Sequence, residues 1–191
     1  MKVKLKEFEQ HLYHFDVENN DKAEGHLDDA LSMIGCIVMF FNSLESTLDH
    51  VLCENFTDRT DSMGLIVLNK MSVGAKVELF KRFCDDLHLQ IGSEVEGYGK
   101  LLNDLGDSIR LRNLIVHADW ETTDDEGYTY VGLKMSKTGM RQEYRQFTPE
   151  ALQEISELLI HTRVNIYKYW ERATDVFYGR DPGALGLGAD K

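Results

Sequence analysis

A chain of 191 residues, 42% hydrophobic and 28% charged, has the length and composition of one domain with an apolar core, which excludes a disordered polymer. Its formal charge of −12, from 33 acidic against 21 basic residues, argues against a general nucleic-acid coat, because non-specific binding works by neutralising phosphates with Lys and Arg. A local basic site within an acidic body stays open. Cys36, Cys53 and Cys84 are odd in number, widely spaced and without a C-x-x-C pair, which reads as buried thiols in a reducing cytoplasm. The N-terminal "MKVKLKEFEQHLYHF" has no apolar core of signal-peptide length. The longest apolar run, "MIGCIVMFF" at 33–41, falls short of the roughly 20 residues that span a bilayer. The expectation is a soluble cytoplasmic protein with no membrane partner.

Residues 1–20 carry only a weak pattern and read as an N-terminal extension, with a short helix and a turn at "ENND". From about 24 to 56, Ala30, Ile34, Ile37, Phe41, Leu44, Leu48 and Val51 recur at steps of three and four, the period of one buried helical face. A second apolar face (Leu27, Leu31, Val38, Leu52) predicts that this helix is covered on more than one side. "GLIVL" at 64–68 has the run length of a strand, but helix fits its surroundings better. "SVGAKVELFKRFCDDLHL" is amphipathic, with Val77, Phe80, Phe83 and Leu87 on one side, and ends at Gly92 and Ser93. The next helix, about 94 to 118, carries Leu102, Leu105, Ile109 and Val116 toward the core.

"DWETTDDEG" then reads as an exposed acidic loop. "YTYVGLKM", "SKTG" and "MRQEYRQF" read as strand, turn and strand, rich in aromatic and β-branched residues. "TPE" at 148–150 is a helix start, with Thr148 as N-cap and Pro149 at the first helical position. That helix runs to about 176, with Leu152, Ile155, Leu159 and Val164 among its apolar positions. No internal repeat and no coiled-coil heptad run is visible. The sum is a mainly α fold: an antiparallel helical bundle over 21–178, a small β-hairpin (about 127–147) before the last long helix, and a flexible Gly-rich tail at 179–191.

The densest polar cluster is "RLRNLIVHADW" at 110–120, in the last turns of the fourth of these helices. Cations at a helix C-terminus face unsatisfied carbonyls and the negative dipole end, which by itself accounts for two arginines and a histidine. Arg82 and His88 satisfy the same loose Arg–His spacing, and roughly one such pair is expected by chance in a chain of this length. The neighbours separate the two pairs. Phe83 after Arg82 is apolar, whereas Asn113 after Arg112 is polar and four residues before His117, hence on its face. Arg110, Asn113 and His117 thus form a polar stripe, with Arg112 roughly 140° from His117 around the helix.

"RNLIVHADW" resembles the signature of the HEPN superfamily (higher eukaryotes and prokaryotes nucleotide-binding domains): an Arg, a polar residue, three mostly apolar residues and a His near the end of a core helix. The helix order over about 24–176 is similar as well. The resemblance implies a HEPN-like bundle and, for many members, metal-independent endoribonuclease activity in toxin–antitoxin, abortive-infection or RNA-processing systems; other members are inactive binding modules. Matched to the pattern, Arg112, Asn113 and His117 are the catalytic residues, with no cofactor and no metal. One toxin subfamily has a Tyr two residues after the His, where this chain has Asp119. The chemistry suits the residues: His titrates near neutrality and exchanges protons, and Arg holds phosphate oxygens through a planar, always charged fork. One chain supplies one such His, so a homodimer sharing a cleft around one RNA phosphate is expected, with Asn113 and His117 lining the groove but inaccessible to bulk solvent, and Leu114 and Val116 packed inward.

Further constellations carry weaker signals. Glu45 interrupts an apolar line and is either a solvated edge acid or a buried partner of Arg112 or Arg110. The hairpin contains Lys134, Lys137, Arg141 and Arg145 against only Glu143, interleaved with Tyr130, Tyr144 and Phe147. It is either a contact for RNA or a nucleotide, or a set of charges that keeps an exposed hairpin soluble. His11 with His14, and His50 with Cys53, are half-sites for zinc that lack a second half. Trp120 reads as a plug against the bundle. An antitoxin or other operon partner follows from the resemblance alone.

Overall fold

The computed structural model describes residues 3–11, 20–56 and 62–180. The architecture is mainly α-helical with one small antiparallel sheet. In chain order it comprises β1 (Lys6–His11), α1 (Asn20–Cys53), α2 (Ser62–Leu68), α3 (Val73–Ile91), α4 (Tyr98–Val116), a 3-10 turn (Trp120–Thr122), β2 (Tyr128–Ser136), β3 (Gly139–Gln146) and α5 (Pro149–Phe177). The chain divides into two compact units, Met1–Phe41 with Arg110–Leu158, and Asn42–Ile109 with Leu159–Lys191, so that α1, α4 and α5 each contribute to both.

In the first unit, α1 buries Ala23, Ala30, Ile37 and Phe41, α4 buries Leu111 and Ile115, and α5 buries Leu152, Ile155 and Leu158. Val116 is 37% exposed, contrary to the expectation that it packs inward. The four-residue step from Leu111 to Ile115 sets the buried face, and the next position turns about 100° away from it. Leu31 on the second face of α1 is 58% exposed, so that face is partly open. Among the described residues α1 is the one helix long and apolar enough, by length and composition only, to cross a bilayer, a test that a buried core helix also passes, and its Ala30, Ile37 and Phe41 are buried.

Where a short helix was expected in residues 1–20, residues 6–11 form a strand. The sheet order is β1-β3-β2, with Phe8 opposite Tyr144 and Tyr144 opposite Tyr130. Phe8 stacks on Tyr144 with ring centroids 4.6 Å apart and meets Tyr128 edge-on at 4.9 Å. These cross-strand aromatic contacts give a six-residue strand its place. The hairpin becomes the inner and one outer strand of a three-stranded sheet. Thr148 caps α5 by accepting the Ala151 N–H at 3.2 Å, as the sequence indicates.

In the second unit, Ser72 caps α3 through the Ala75 N–H at 3.3 Å, and Gly92, at φ +85°, closes it by donating its N–H to the His88 carbonyl. The centre of the buried face of α3 is Lys76, Phe80 and Cys84, with Val77, Phe83 and Leu87 at its half-buried margins. Helix α4 begins at Tyr98, after Gly97 at φ +92°, and not at 94. Here it buries Leu101, Leu105 and Ser108, while Leu102 and Ile109 are half-buried; α5 buries Leu159, Ile166, Tyr169, Trp170, Ala173 and Val176, and leaves Val164 exposed. The second half of the ENND turn forms the start of α1; its first half, His14 and residues 181–191 of the expected tail lie outside the described residues.

Candidate functional site

The polar cluster occupies the end of α4, in the first unit. His117 lies one residue past the helix but keeps its spacing, because its N–H donates to the Asn113 carbonyl at 3.0 Å. The Ile115 carbonyl, exposed by the ending helix, accepts the Ala118 N–H at 3.4 Å and the Trp120 indole N–H at 3.1 Å. Trp120 also lies 5.2 Å from the Phe147 ring, so it closes this end as a plug. The Asp119 N–H donates to the Tyr130 carbonyl at 2.9 Å and ties the helix end to β2. Thr123 and Thr129, both buried, share a hydroxyl hydrogen bond at 3.0 Å, and Asp124 accepts the N–H groups of Glu126 and Tyr128. The acidic loop is therefore a built turn that fixes where the helix stops.

Within this frame Arg112 and Asn113 are brought together. The Arg112 guanidinium lies over the Phe41 ring, 5.2 Å from Cζ to centroid, and donates from Nη1 to Asn113 Oδ1 at 3.0 Å. Its Nε–H is buried without a partner among the described residues. Asn113 and His117 are exposed one turn apart on the same face, and Arg110 is exposed one turn before Asn113. A proton-exchanging imidazole and a held guanidinium thus share one helix end. Arg82 and His88 differ: Arg82 is bound to Glu78 on the surface at 3.3 Å, whereas His88 is half-buried against Tyr169.

The sheet cations are not free. Glu9 on β1 accepts from Lys134 at 2.8 Å and from Arg141 at 3.3 Å, and Arg145 is paired with Glu7 and Glu143. These hydrogen bonds, Lys134 first, hold the Glu9 carboxyl below its usual range, and the same contact raises Lys134. Register explains the arrangement, since Glu7 lies opposite Arg145 and Glu9 opposite Glu143. Lys137 is exposed at the hairpin turn. Three cations, Lys134, Arg141 and Arg145, meet three carboxylates, two of them on β1, which a local reading of the hairpin did not include. The alternation in "KEFEQH", with Glu7 and Glu9 flanking Phe8, was the available signal.

Glu45 is paired with a lysine of its own unit. In the second unit its Oε1 accepts from Lys76 at 2.8 Å, and Asp49 Oδ2 accepts from the same ammonium at 2.8 Å. Lys76 is only 5% exposed, so its charge requires these counterions. A second polar cluster there was also missed. Tyr169 and His88 share a hydrogen bond at 2.7 Å, Tyr98 donates to Asp85 and to the Lys81 carbonyl, and Cys84 lies against Tyr169. Burial pushes the Cys84 thiol up to about 12, raises the phenols of Tyr98 and Tyr169, and lowers His88. Every shift favours the neutral form, so Cys84 is a packing thiol and not a nucleophile.

Among the described residues no group of three His, Cys, Asp or Glu side chains could hold a metal ion, and His50 instead lies 6.0 Å from the Tyr167 ring. No protein family, curated protein or solved structure matches the chain.

Proposed function

We propose that the chain is a HEPN-type, metal-independent endoribonuclease whose catalytic residues are Arg112, Asn113 and His117, completed by a second copy. The observation that carries the reading is the Arg112–Asn113 contact at 3.0 Å, one turn before an exposed His117 on a helix end pinned to the sheet. In the reaction His117 takes the proton of an RNA 2′-hydroxyl as that oxygen bonds to the adjacent phosphorus. Arg112 holds the negative charge on the phosphorane oxygens, and Asn113 orients the guanidinium. The P–O5′ bond breaks, and the leaving oxygen takes a proton from the imidazolium of the second copy. The products are a 2′,3′-cyclic phosphate and a 5′-hydroxyl. A toxin, abortive-infection or RNA-processing role, and an antitoxin or operon partner, belong to the same proposal. The test is incubation with mixed RNA in EDTA beside His117→Ala: cleavage by the wild type alone is expected, and equal cleavage or a strict metal requirement refutes it.

A second reading, a non-catalytic HEPN-like module that binds a nucleotide or a partner, is favoured by one observation. The carboxylates of Glu7, Glu9 and Glu143 occupy the hairpin cations that would attract RNA. Nucleotide binding that weakens in Arg112→Ala with no product formed selects this reading.

A further inference from the structure

Helix α1 buries Phe41, which is 3% exposed, and α4 sets Arg112 over its ring, 5.2 Å from Cζ to centroid. Both residues belong to the first unit. A buried position on α1 needs only an apolar side chain, as Ile37 shows. An aromatic side chain adds something an aliphatic one lacks, a negative π face that attracts a cation.

The donors of Arg112 show what that face does. A guanidinium carries its N–H groups in one planar fork. On Arg112 the Nε–H is buried with no partner among the described residues, and an Nη1–H goes to Asn113 Oδ1 at 3.0 Å. A buried donor left without an acceptor is costly, and a long side chain on a helix that is ending has water within reach as an alternative. The attraction of the ring offsets that cost and holds the guanidinium plane, while Asn113 fixes its rotation within the plane. The remaining Nη donors lie at the far end of the fork, the end that can meet two phosphate oxygens side by side.

We propose that Phe41 is a positioning residue, whose ring holds Arg112 so that the Nη end of the guanidinium, and not its Nε side, meets the RNA phosphate. This rests on the reading of Arg112, Asn113 and His117 as an RNA-cleaving site. An arginine without its platform still attracts RNA by charge but matches the phosphorane oxygens less well, so the loss falls on kcat and spares KM. The probes are full chains carrying mono-, di- or trifluorinated phenylalanine at position 41, assayed on mixed RNA in EDTA. Each fluorine withdraws charge from the ring face and nearly keeps its shape, so the packing is retained. The expected result is a stepwise fall in kcat, about tenfold at the trifluorinated ring, with KM within about twofold and the pH profile of His117 unchanged. Phe40 is the control, a half-buried neighbour with no cation over its ring among the described residues. The same series at position 40 should leave kcat unchanged. A constant kcat along the position 41 series overturns the proposal. So does an equal fall at position 40, which assigns the effect to packing, or a rise in KM at constant kcat, which assigns the ring to binding. No cleavage by the unmodified chain defeats the reading of the site itself, and the proposal with it.

Discussion

Lys76→Met removes a charge while keeping most of the buried stem, so it isolates the ammonium. That ammonium makes two hydrogen bonds of 2.8 Å, to Glu45 and Asp49. Removing one partner of a buried ion pair costs about 3–5 kcal/mol. Here the carboxylates are 32% and 25% exposed, so water recovers part of their solvation, and the cost of burying the ammonium disappears with it. The expected loss is about 2–3 kcal/mol at neutral pH, or about 5–10 °C in Tm for a chain of this size. Thermal and guanidinium unfolding followed by circular dichroism measure it. Glu45→Gln with Asp49→Asn in the same chain should restore much of the loss, because neutral partners no longer demand a cation. The pH dependence has a definite sign. Burial acts to lower the Lys76 pKa, but the hydrogen bonds to Asp49 and Glu45 outweigh it and raise it above the ordinary 10.5. The advantage of wild type over Lys76→Met is therefore fully present below pH 10.5 and fades as pH rises through the raised value. A loss below about 0.5 kcal/mol, the size of an ordinary surface change, would refute the reasoning.

Two other predictions test the packing directly. A thiol reagent at mildly alkaline pH should label the exposed Cys36 quickly, and Cys53 and Cys84 only after denaturation, since both are buried and the Cys84 thiol is pushed up to about 12; fast labelling of Cys84 would contradict this. Thr148→Ala removes the acceptor for the Ala151 N–H and should cost about 1 kcal/mol in chemical unfolding, whereas Thr148→Ser should cost much less.

Periodicity along the chain was enough to read α1, α3, α4 and α5, because the face a helix buries is written at steps of three and four in its own residues. The cap at Thr148 and the hairpin were equally local, and the Arg112–Asn113–His117 cluster could be found because it lies within six consecutive residues. Strand β1 could not be read in the same way. Its partner β3 is over 130 residues away, and a short strand takes its conformation from such pairing more than from its own propensity. The same pairing decides the charge state of the sheet, because Glu7 and Glu9 reach Lys134, Arg141 and Arg145 only once the register is set. Lys76 follows this pattern too: at the centre of an amphipathic face it looks like an interruption until α1 supplies Glu45 and Asp49 within 2.8 Å. The sequence by itself therefore determined which segments are helical and where the polar helix end lies. Tertiary structure alone decided which charges are neutralised, since Coulomb attraction and hydrogen bonding act through distances that folding creates between residues far apart in the chain.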